Sequence, residues 1–202
     1  MYAVLLLCLF AGVSILVESS VFQHMDNLII LGFEQIRMPF LNHVMLILTD
    51  FGVSVLLVPI MLIFSVLLFV YKRYHSIILL LLLYLVEKTV NHELKGFFER
   101  ARPSFDHLVQ ETYYSFPSGH SMNAATIYPF MAYLLIQTIP SLKKRKKWVV
   151  MVTTVFISFI GMSRMYIGVH YLTDVIGGFS IGLCLFLLFK KIDEKIPAIR
   201  QK

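Results

Sequence analysis

Residues Trp148–Phe189 read WVVMVTTVFISFIGMSRMYIGVHYLTDVIGGFSIGLCLFLLF. Two long apolar runs, Trp148–Ile167 and Leu172–Phe189, are separated by a very short segment. A membrane-spanning helix needs about 20 apolar residues, or as few as about 17, so each run is long enough to cross a bilayer. The charged and histidine side chains of the stretch lie in or beside the short segment: Arg164, His170 and Asp174. The stretch therefore predicts two transmembrane helices with a polar cluster where they meet.

The same pattern extends over the rest of the chain. Of its 202 residues, 58% are hydrophobic and only 15% are charged, whereas soluble domains are about 25% charged. The candidate spans are Tyr2–Val17, Val44–Val70, Ser76–Val90, Met122–Ile139, Trp148–Ile167 and Leu172–Phe189. The first lacks the basic start and the Ala-x-Ala cleavage site of a signal peptide, and the third is expected to continue as helix toward Lys95. These segments predict an all-α integral membrane bundle of six transmembrane helices, forming a single domain over residues 1–202.

The lysines and arginines predict how this bundle is oriented. If the N-terminus is cytoplasmic, 12 of the 18 basic residues lie on the cytoplasmic side and 6 lie outside or in the outer part of a span. Because cytoplasmic loops are enriched in basic residues, both termini are predicted to be cytoplasmic in a multi-pass protein of the cell (plasma) membrane. The basic run Lys143–Lys147 is then an anchor beside anionic lipid headgroups, and no nucleic-acid partner is expected.

The segment Glu18–His43, between the first two spans, is predicted to be external. Its apolar residues recur at helical spacing with polar residues between them: Val21, Met25, Leu28, Ile29, Gly32 and Phe33. This pattern predicts an amphipathic helix that lies in the membrane interface. A helix packed against the bundle explains the pattern equally well.

Ionisable residues near a membrane span are candidates for function, and those at the predicted outer end form three clusters. In the first, Lys95–Pro103, the cations Lys95 and Arg102 are seven residues apart, which is two turns along one face of a helix. Pro103 is expected to end that helix. Two cations on one face suit an anion with several oxygens. A solvated helix end with a salt bridge to Glu99 is the alternative.

The second cluster, Phe116–His120, directly precedes the fourth predicted span. Ser118 can cap the helix and Gly119 allows the backbone to approach a ligand closely. Free N–H groups and the positive end of the helix dipole make such a helix start a binding site for anions. His120, at its rim, can donate a proton. An ordinary helix cap followed by an interfacial histidine is the alternative.

The third cluster, Ser163–Asp174, joins the last two spans. His170 and Asp174 are four residues apart, so on a helix the carboxylate can accept a hydrogen bond from the imidazole. Such a bond fixes the tautomer and leaves the other ring nitrogen free to attack, while Arg164 adds a third cation. Alone, a structural His–Asp pair is the alternative. Because all three clusters reach the same predicted outer face, together they favour a catalytic site for an anionic substrate.

The three clusters form one pattern: Lys-x6-Arg-Pro, Pro-Ser-Gly-His, and Ser-Arg-x5-His-x3-Asp, over residues Lys95–Asp174. This pattern resembles the signature of the type 2 phosphatidic acid phosphatase superfamily, and every position of that signature is present. Within the superfamily, the size of the chain, the Asn-Ala-Ala sequence that follows the histidine motif and the basic tail resemble the small Bacillus-type phosphatidylglycerophosphatases.

The resemblance implies a role for each residue. His170 would attack phosphorus and form a phosphohistidine, and Asp174 would orient it and stabilise its charge. His120 would protonate the leaving oxygen and later activate the water. The phosphoryl oxygens would be held by Lys95, Arg102, Ser118, Gly119 and Arg164.

No cofactor and no obligatory metal are expected. Phosphoryl transfer needs mainly positioning and charge neutralisation, which three cations can provide. The acidic residues Glu87, Glu93 and Asp106 are too scattered for a dedicated metal site. Cys8 and Cys184 lie in apolar runs without ligand spacing and are interpreted as buried thiols. Haloperoxidases that share the signature bind vanadate, but they are soluble.

The resemblance implies hydrolysis of a lipid phosphate at the outer face of the membrane, with the lipid and the bilayer as partners. Candidate substrates are phosphatidylglycerol phosphate, undecaprenyl diphosphate, phosphatidic acid and diacylglycerol diphosphate. One alternative is a phosphotransferase that passes the phosphoryl group from His170 to another lipid. A second is a transporter, although the sequence has no inverted repeats and no paired broken helices.

Overall fold

The structure, a computed structural model, describes residues 2–196. Regular secondary structure in this range is entirely helical, which confirms the predicted all-α class. In chain order the helices are α1 (Tyr2–Leu16), α2 (Ser20–Gln35), α3 (Pro39–Asp50), α4 (Ser54–Val70), α5 (Tyr74–Phe98), α6 (Gly119–Thr138), α7 (Pro140–Lys143), α8 (Lys146–Tyr166) and α9 (Leu172–Lys195). The tail residues Arg200 and Lys202, counted above among the cytoplasmic cations, lie outside the described range.

The helices α8 and α9 are each long and apolar enough to cross a membrane. Two further pairs reach that length and composition only when taken together: α1 with α2, bent by 95°, and α3 with α4, bent by 53°. By this criterion the described residues contain two candidate spans, or up to four if each bent pair is one span. The helices α5 and α6 are not among the candidate spans by this criterion.

The predicted span Val44–Val70 is interrupted. The helix α3 ends at Asp50 and α4 begins at Ser54, with a turn in which the Gly52 N–H donates to Thr49 O at 2.9 Å. A Cβ atom on Gly52 would lie 2.9 Å from the Cβ of His120. The break therefore brings the backbone at Gly52 directly against the second cluster, and only glycine allows that approach.

The long helix α5 extends beyond Val90 to Phe98, as predicted. It ends there because Glu99 adopts a left-handed conformation with φ 47°, so the chain leaves the helix before Arg102. The prediction that Lys95 and Arg102 share a helical face, with Pro103 ending the helix, is wrong. Lys95 lies in the last turn of α5 and Arg102 in the following loop.

Small residues position α6 and α9 at the centre of the bundle. A Cβ on Gly178 would lie 2.6 Å from Ser118 O, and one on Gly182 would lie 2.7 Å from Met122 O. Such close backbone approach is typical of helix pairs packed through small residues. The N-termini of α6 and α9 thus lie side by side, at the end of the bundle where α5 and α8 finish.

The segment between the first two apolar runs contains a helix, as predicted. Its helix α2 begins after the Ser19 cap, and its buried residues are Asp26 and Ile30. The two cysteines were predicted to be buried, but Cys8 is exposed and Cys184 is only half-buried. Because α1 exposes much of its apolar surface, a thiol there faces the surroundings of the protein rather than a packed interior.

Candidate active site

A cavity of about 260 Å³ opens where these helix ends meet. It is lined by Lys88, Asn91, His92, Lys95, Arg102, Glu111, Tyr113, Gly119, His120 and His170. Residues from all three sequence clusters therefore face one space. Three of the predicted site residues stand behind this lining and are buried: Ser118, Arg164 and Asp174.

His170 and Asp174 pair across the start of α9. His170 precedes the helix, so the expected pairing within a helix is replaced by a contact at the cap. The Nδ1 of His170 lies 3.3 Å from Asp174 Oδ2, and the same oxygen accepts the backbone N–H of Tyr171 at 2.8 Å. The carboxylate is fully buried, so its hydrogen bonds are not weakened by water.

Ser115 is a third member of this group that the sequence did not indicate. Its Oγ donates to Asp174 Oδ2 at 2.5 Å and lies 3.2 Å from His170 Nδ1. Two oxygens thus face the Nδ1 side of the ring, which favours the tautomer with its proton on Nδ1. Ser115 is 55 residues from His170 in the chain, and no motif marks it.

The other ring nitrogen of His170 faces the cations. Its Nε2 accepts a hydrogen bond from Arg102 Nη1 at 3.2 Å. Burial, followed by the positive charges of Arg164, Arg102 and Lys95, holds the pKa of His170 well below its ordinary value. The neutral ring, with an electron pair on Nε2 directed at the cavity, can act as a nucleophile.

Glu111, which was also missed, joins two of the predicted cations. Its Oε1 accepts from Arg164 Nη2 at 2.6 Å, and its Oε2 accepts from Arg102 Nη2 at 3.4 Å. Arg164 also donates to Thr49 Oγ1 at 2.6 Å. A carboxylate therefore occupies positions on both guanidinium groups that suit the oxygens of an anionic ligand. The burial of Arg102 lowers its pKa from the ordinary value.

The third cation, Lys95, is held by the loop that follows α5. Its ammonium donates to the carbonyl oxygens of Tyr114 and Ser115. Glu99, the salt-bridge partner in the alternative interpretation of this cluster, accepts a hydrogen bond from Tyr114 Oη on its Oε1 at 3.0 Å. The ammonium of Lys95 and the guanidinium of Arg102 thus meet through the loop rather than along a helix.

The predicted cap of the fourth apolar run is confirmed. Ser118 caps α6, and its Oγ accepts the Ser121 N–H at 3.5 Å. Its own N–H donates to the backbone oxygen of Asp174 at 3.0 Å, which ties the start of α6 to α9. Gly119 and His120 form the first turn and face the cavity. Unpaired N–H groups at this helix start can bind phosphoryl oxygens.

A second line of charges extends behind Asp174. Arg100 Nη1 donates to Asp174 Oδ1 at 2.6 Å, and its Nη2 donates to Asp26 Oδ2 at 2.9 Å. Asp26 Oδ1 also accepts the N–H of Thr173 in the first turn of α9 at 3.1 Å. No motif in the sequence marks Arg100 or Asp26 for this role. The fold makes them part of the support of His170.

Within residues 2–196, no group of three or more His, Cys, Asp and Glu side chains is placed to hold a metal ion. Glu87 is buried in α5, 3.9 Å from Lys88 Nζ. Asp106 is exposed in the loop after α5 and pairs with Arg37 at 3.7 Å. The positive charge at the cavity comes from the lining side chains Lys88, Lys95 and Arg102.

Known proteins resemble this chain over most of its length. The sequence model of the PAP2 superfamily matches residues 76–197. Phosphatidylglycerophosphatase B of Bacillus subtilis is 44% identical over 92% of each chain. An undecaprenyl-diphosphatase of Sulfolobus acidocaldarius is 27% identical over 78% of this chain and 73% of its own.

The fold agrees with a solved structure. The crystal structure of a transmembrane PAP2 type phosphatidylglycerolphosphate phosphatase from Bacillus subtilis superposes with a TM-score of 0.95. The two chains are 42% identical, and the match covers 99% of this chain and 100% of the other. The resemblance drawn from the three motifs, and the closer one drawn from size and tail, are thereby confirmed. The chain belongs to the PAP2 superfamily and is a membrane lipid phosphatase.

Proposed function

We propose that the chain hydrolyses phosphatidylglycerol phosphate to phosphatidylglycerol, and undecaprenyl diphosphate to undecaprenyl phosphate, through a phosphohistidine at His170. One observation carries the proposal. The Nε2 of His170 faces a cavity lined by cations, while its Nδ1 faces a buried carboxylate. The names of the two relatives described above support these two substrates.

In the first step the Nε2 electron pair attacks phosphorus, and the bond between phosphorus and the lipid-side oxygen breaks. His120 gives its proton to that oxygen, so the lipid product leaves neutral at the new hydroxyl, or as a monophosphate from a diphosphate. The ring of His170 becomes positively charged, and Asp174 stabilises that charge as the carboxylate of a triad does.

During this step the phosphoryl oxygens replace the carboxylate of Glu111 on Arg102 and Arg164. Lys95, the hydroxyl of Ser118 and the N–H of Gly119 bind the remaining charge. Electrostatic stabilisation of this kind is usually the largest single contribution to such a reaction. No obligatory metal is required.

In the second step His120 takes a proton from water, and the resulting hydroxide attacks the phosphohistidine. The bond between nitrogen and phosphorus breaks, inorganic phosphate leaves, and the electron pair returns to Nε2. Histidine is suited to both steps because its imidazole can give a proton to the leaving oxygen and then take one from water.

We further propose that the chain is one domain of six spans: α1, the bent pair α3 and α4, α5, α6, α8 and α9. The helix α2 would lie in the outer interface, and the active site would face outward with both termini cytoplasmic. The basic run Lys143–Lys147 supports this orientation, since it lies at the end of the bundle opposite to the cavity and basic loops remain inside.

A lipid panel tests the substrates. Purified full-length protein in mixed micelles is given each of the four candidate lipids, and phosphate release is measured as kcat/KM. We expect the highest values for phosphatidylglycerol phosphate and undecaprenyl diphosphate. Phosphoryl groups that appear on an added acceptor lipid, with little free phosphate, would assign the chain as a phosphotransferase instead.

The metal-free mechanism is tested with the same assay. Activity should persist in EDTA, and vanadate should inhibit because it imitates five-coordinate phosphorus. Complete loss in EDTA that Mg²⁺ reverses would contradict the mechanism.

A further inference from the structure

A second cavity lies at the other end of the bundle from the active site. It has a volume of about 440 Å³ and lies between α6, α8 and α9, within the range of about 300–1,000 Å³ that is usual for small-molecule sites. Near the active site α8 and α9 pack tightly, since a Cβ on Gly161 would lie 2.5 Å from the ring of Phe179. Further along, the space between the helices becomes this cavity.

The walls of this cavity are mostly apolar, with Ala132, Ile157, Leu183 and Phe186 among the lining residues; the polar members are Gln137, Thr153 and Thr154. Its rim is basic, and each of three lysines comes from a different helix: Lys143 from α7, Lys146 from α8 and Lys190 from α9. The fold therefore brings these three lysines together, since Lys190 lies outside the basic run Lys143–Lys147.

Contacts within the protein already hold one of the rim lysines, Lys190, in position. Lys190 Nζ lies 5.6 Å from the centre of the Tyr133 ring and 3.8 Å from Glu194 Oε1. Glu194 also belongs to the rim, so three positive charges face one negative charge and the net charge is positive. Basic pockets between transmembrane helices bind the headgroups of anionic lipids.

The depth of the cavity matches one leaflet of a bilayer. Trp148, which is 66% exposed, stands next to the lysines, and exposed tryptophans mark the level of the lipid headgroups. Eleven residues of α8 separate Lys146 on the rim from Ile157 on the wall, which corresponds to about 16 Å. Half of the hydrocarbon thickness of a bilayer is about 15 Å. A headgroup at the lysines would thus place one acyl chain along the apolar walls.

We propose that this cavity binds an anionic phospholipid, with the phosphate at Lys143, Lys146 and Lys190 and one acyl chain between α6, α8 and α9. The site is separate from the catalytic cavity and does not depend on the chemistry of His170. Its ligand is bound and not hydrolysed, because none of the described residues that line the cavity is a histidine.

Trp148 is the only tryptophan of the chain, so its fluorescence reports on lipid next to the proposed site. The full-length protein is reconstituted in neutral phosphatidylcholine that contains an equal fraction of either dibrominated phosphatidylglycerol or dibrominated phosphatidylcholine. Bromine quenches tryptophan only at short range. We expect the anionic lipid to quench Trp148 several-fold more effectively than the neutral lipid. Equal quenching by both lipids would overturn the proposal.

Two triple variants distinguish binding of the anionic lipid at a defined site from its general electrostatic attraction to the basic surface. Changing Lys143, Lys146 and Lys190 to Gln should remove the preference, by on the order of fivefold for each lysine that contacts the headgroup. The matched control changes Lys144, Arg145 and Lys147 to Gln, removing three cations next to the rim. An equal loss in the control would show diffuse attraction and overturn the proposal.

A third variant tests the acyl chain. Ala132→Phe narrows the cavity and leaves every rim charge in place, so it should also reduce the preference for the anionic lipid. An unchanged preference would mean that no chain enters the cavity, which contradicts the proposal. Phosphate release by each variant, measured with the lipid substrate, verifies that it is folded, since the catalytic residues lie at the other end of the bundle.

Discussion

At the scale of single residues, replacing His170 and replacing His120 are expected to affect activity in different ways. His170→Ala should abolish both turnover and the phosphoenzyme, because the proposed nucleophile is removed. His120→Ala should lose turnover by about 100- to 10,000-fold on lipid substrates, which is the usual contribution of general acid catalysis. An activated aryl phosphate, whose leaving group needs little protonation, should partly restore His120→Ala and leave His170→Ala inactive.

Asp174→Asn should fall between these two variants, since it misorients His170 without removing it. Phosphoenzyme is measured as acid-labile, base-stable radiolabel on the protein. Such label retained on His170→Ala would show that another residue is the nucleophile.

The pH dependence of phosphoenzyme formation tests the environment of His170. Its pKa is lowered by burial and by the cations around it. Because the neutral ring attacks in the proposed mechanism, formation should persist below pH 6.5. Arg102→Gln removes the cation that lies 3.2 Å from Nε2. The pKa should then rise and the acid limb should move to higher pH by roughly one unit.

Single-turnover experiments at saturating lipid measure the acid limb of the rate of phosphoenzyme formation, because product release does not contribute to that rate. Protonation of the lipid phosphate also affects the pH profile. It affects the wild type and the variant equally, so it does not change the difference between their acid limbs. A limb that stays in place, or moves to lower pH, would contradict the proposed influence of Arg102.

The residues of the three motifs could be found from sequence because each motif is a short local pattern with a chemical meaning. Ser115 and Glu111 could not, since both lie in the irregular chain between α5 and α6, where no periodicity indicates which side chains turn inward. Their roles depend on contacts with Asp174 and Arg164, far away in the chain. Only the folded loop brings these groups together.

At the scale of elements, α2 is expected to act on catalysis through α9. Asp26 on α2 holds Arg100, and Arg100 holds Asp174 in the first turn of α9. Asp26→Asn keeps the shape and weakens the ionic contact, so Asp174 should shift slightly. Small misplacements of catalytic groups can cost about 100-fold in rate. We expect a fall in kcat of up to this size, with little change in KM.

The matched control is Glu34→Gln, which removes the same charge from the same helix at a position outside these contacts. Arg100→Lys should resemble Asp26→Asn, because an ammonium cannot contact both carboxylates as a guanidinium does. A rise in KM with unchanged kcat would point to a role of α2 in substrate binding instead.

The break between α3 and α4 has a testable consequence for His120. Gly52→Ala would place a methyl group 2.9 Å from the Cβ of His120, which must then move. Activity on lipid should fall roughly tenfold, while an activated aryl phosphate should be affected less. Gly32→Ala is the control, since a Cβ at that position meets nothing within 4 Å. Equal losses with both substrates would argue against an effect through His120.

The helices themselves were largely predictable, because long apolar runs leave the backbone few alternatives in a membrane. Errors gather at the functional end of the bundle. There α5 stops before Arg102, His170 pairs with Asp174 across the start of α9 instead of along a helix, and the predicted span Val44–Val70 breaks at Gly52. At these points contacts between distant segments replace helical hydrogen bonds, and hydrophobic periodicity carries no information about such contacts.

At the scale of the whole molecule, the unequal distribution of basic residues should fix the orientation in the membrane. Ser104 lies beside the catalytic cavity and Ser141 lies next to the basic run, and both are exposed. In a background that lacks Cys8 and Cys184, a single cysteine at Ser104 should react with an impermeant thiol reagent on intact cells. One at Ser141 should react only after the membrane is opened, because the proposed orientation places the basic segment in the cytoplasm.

This experiment also determines which leaflet supplies the substrate. A cavity that opens outward receives lipid phosphates from the outer leaflet, where diphosphate carriers are released, whereas phosphatidylglycerol phosphate made inside would first have to cross the bilayer. Labelling at Ser141 but not at Ser104 on intact cells would invert the orientation and favour substrates made on the cytoplasmic side. The catalytic geometry would be unchanged by that result, since the contacts of His170 lie within the bundle and do not depend on its direction in the membrane.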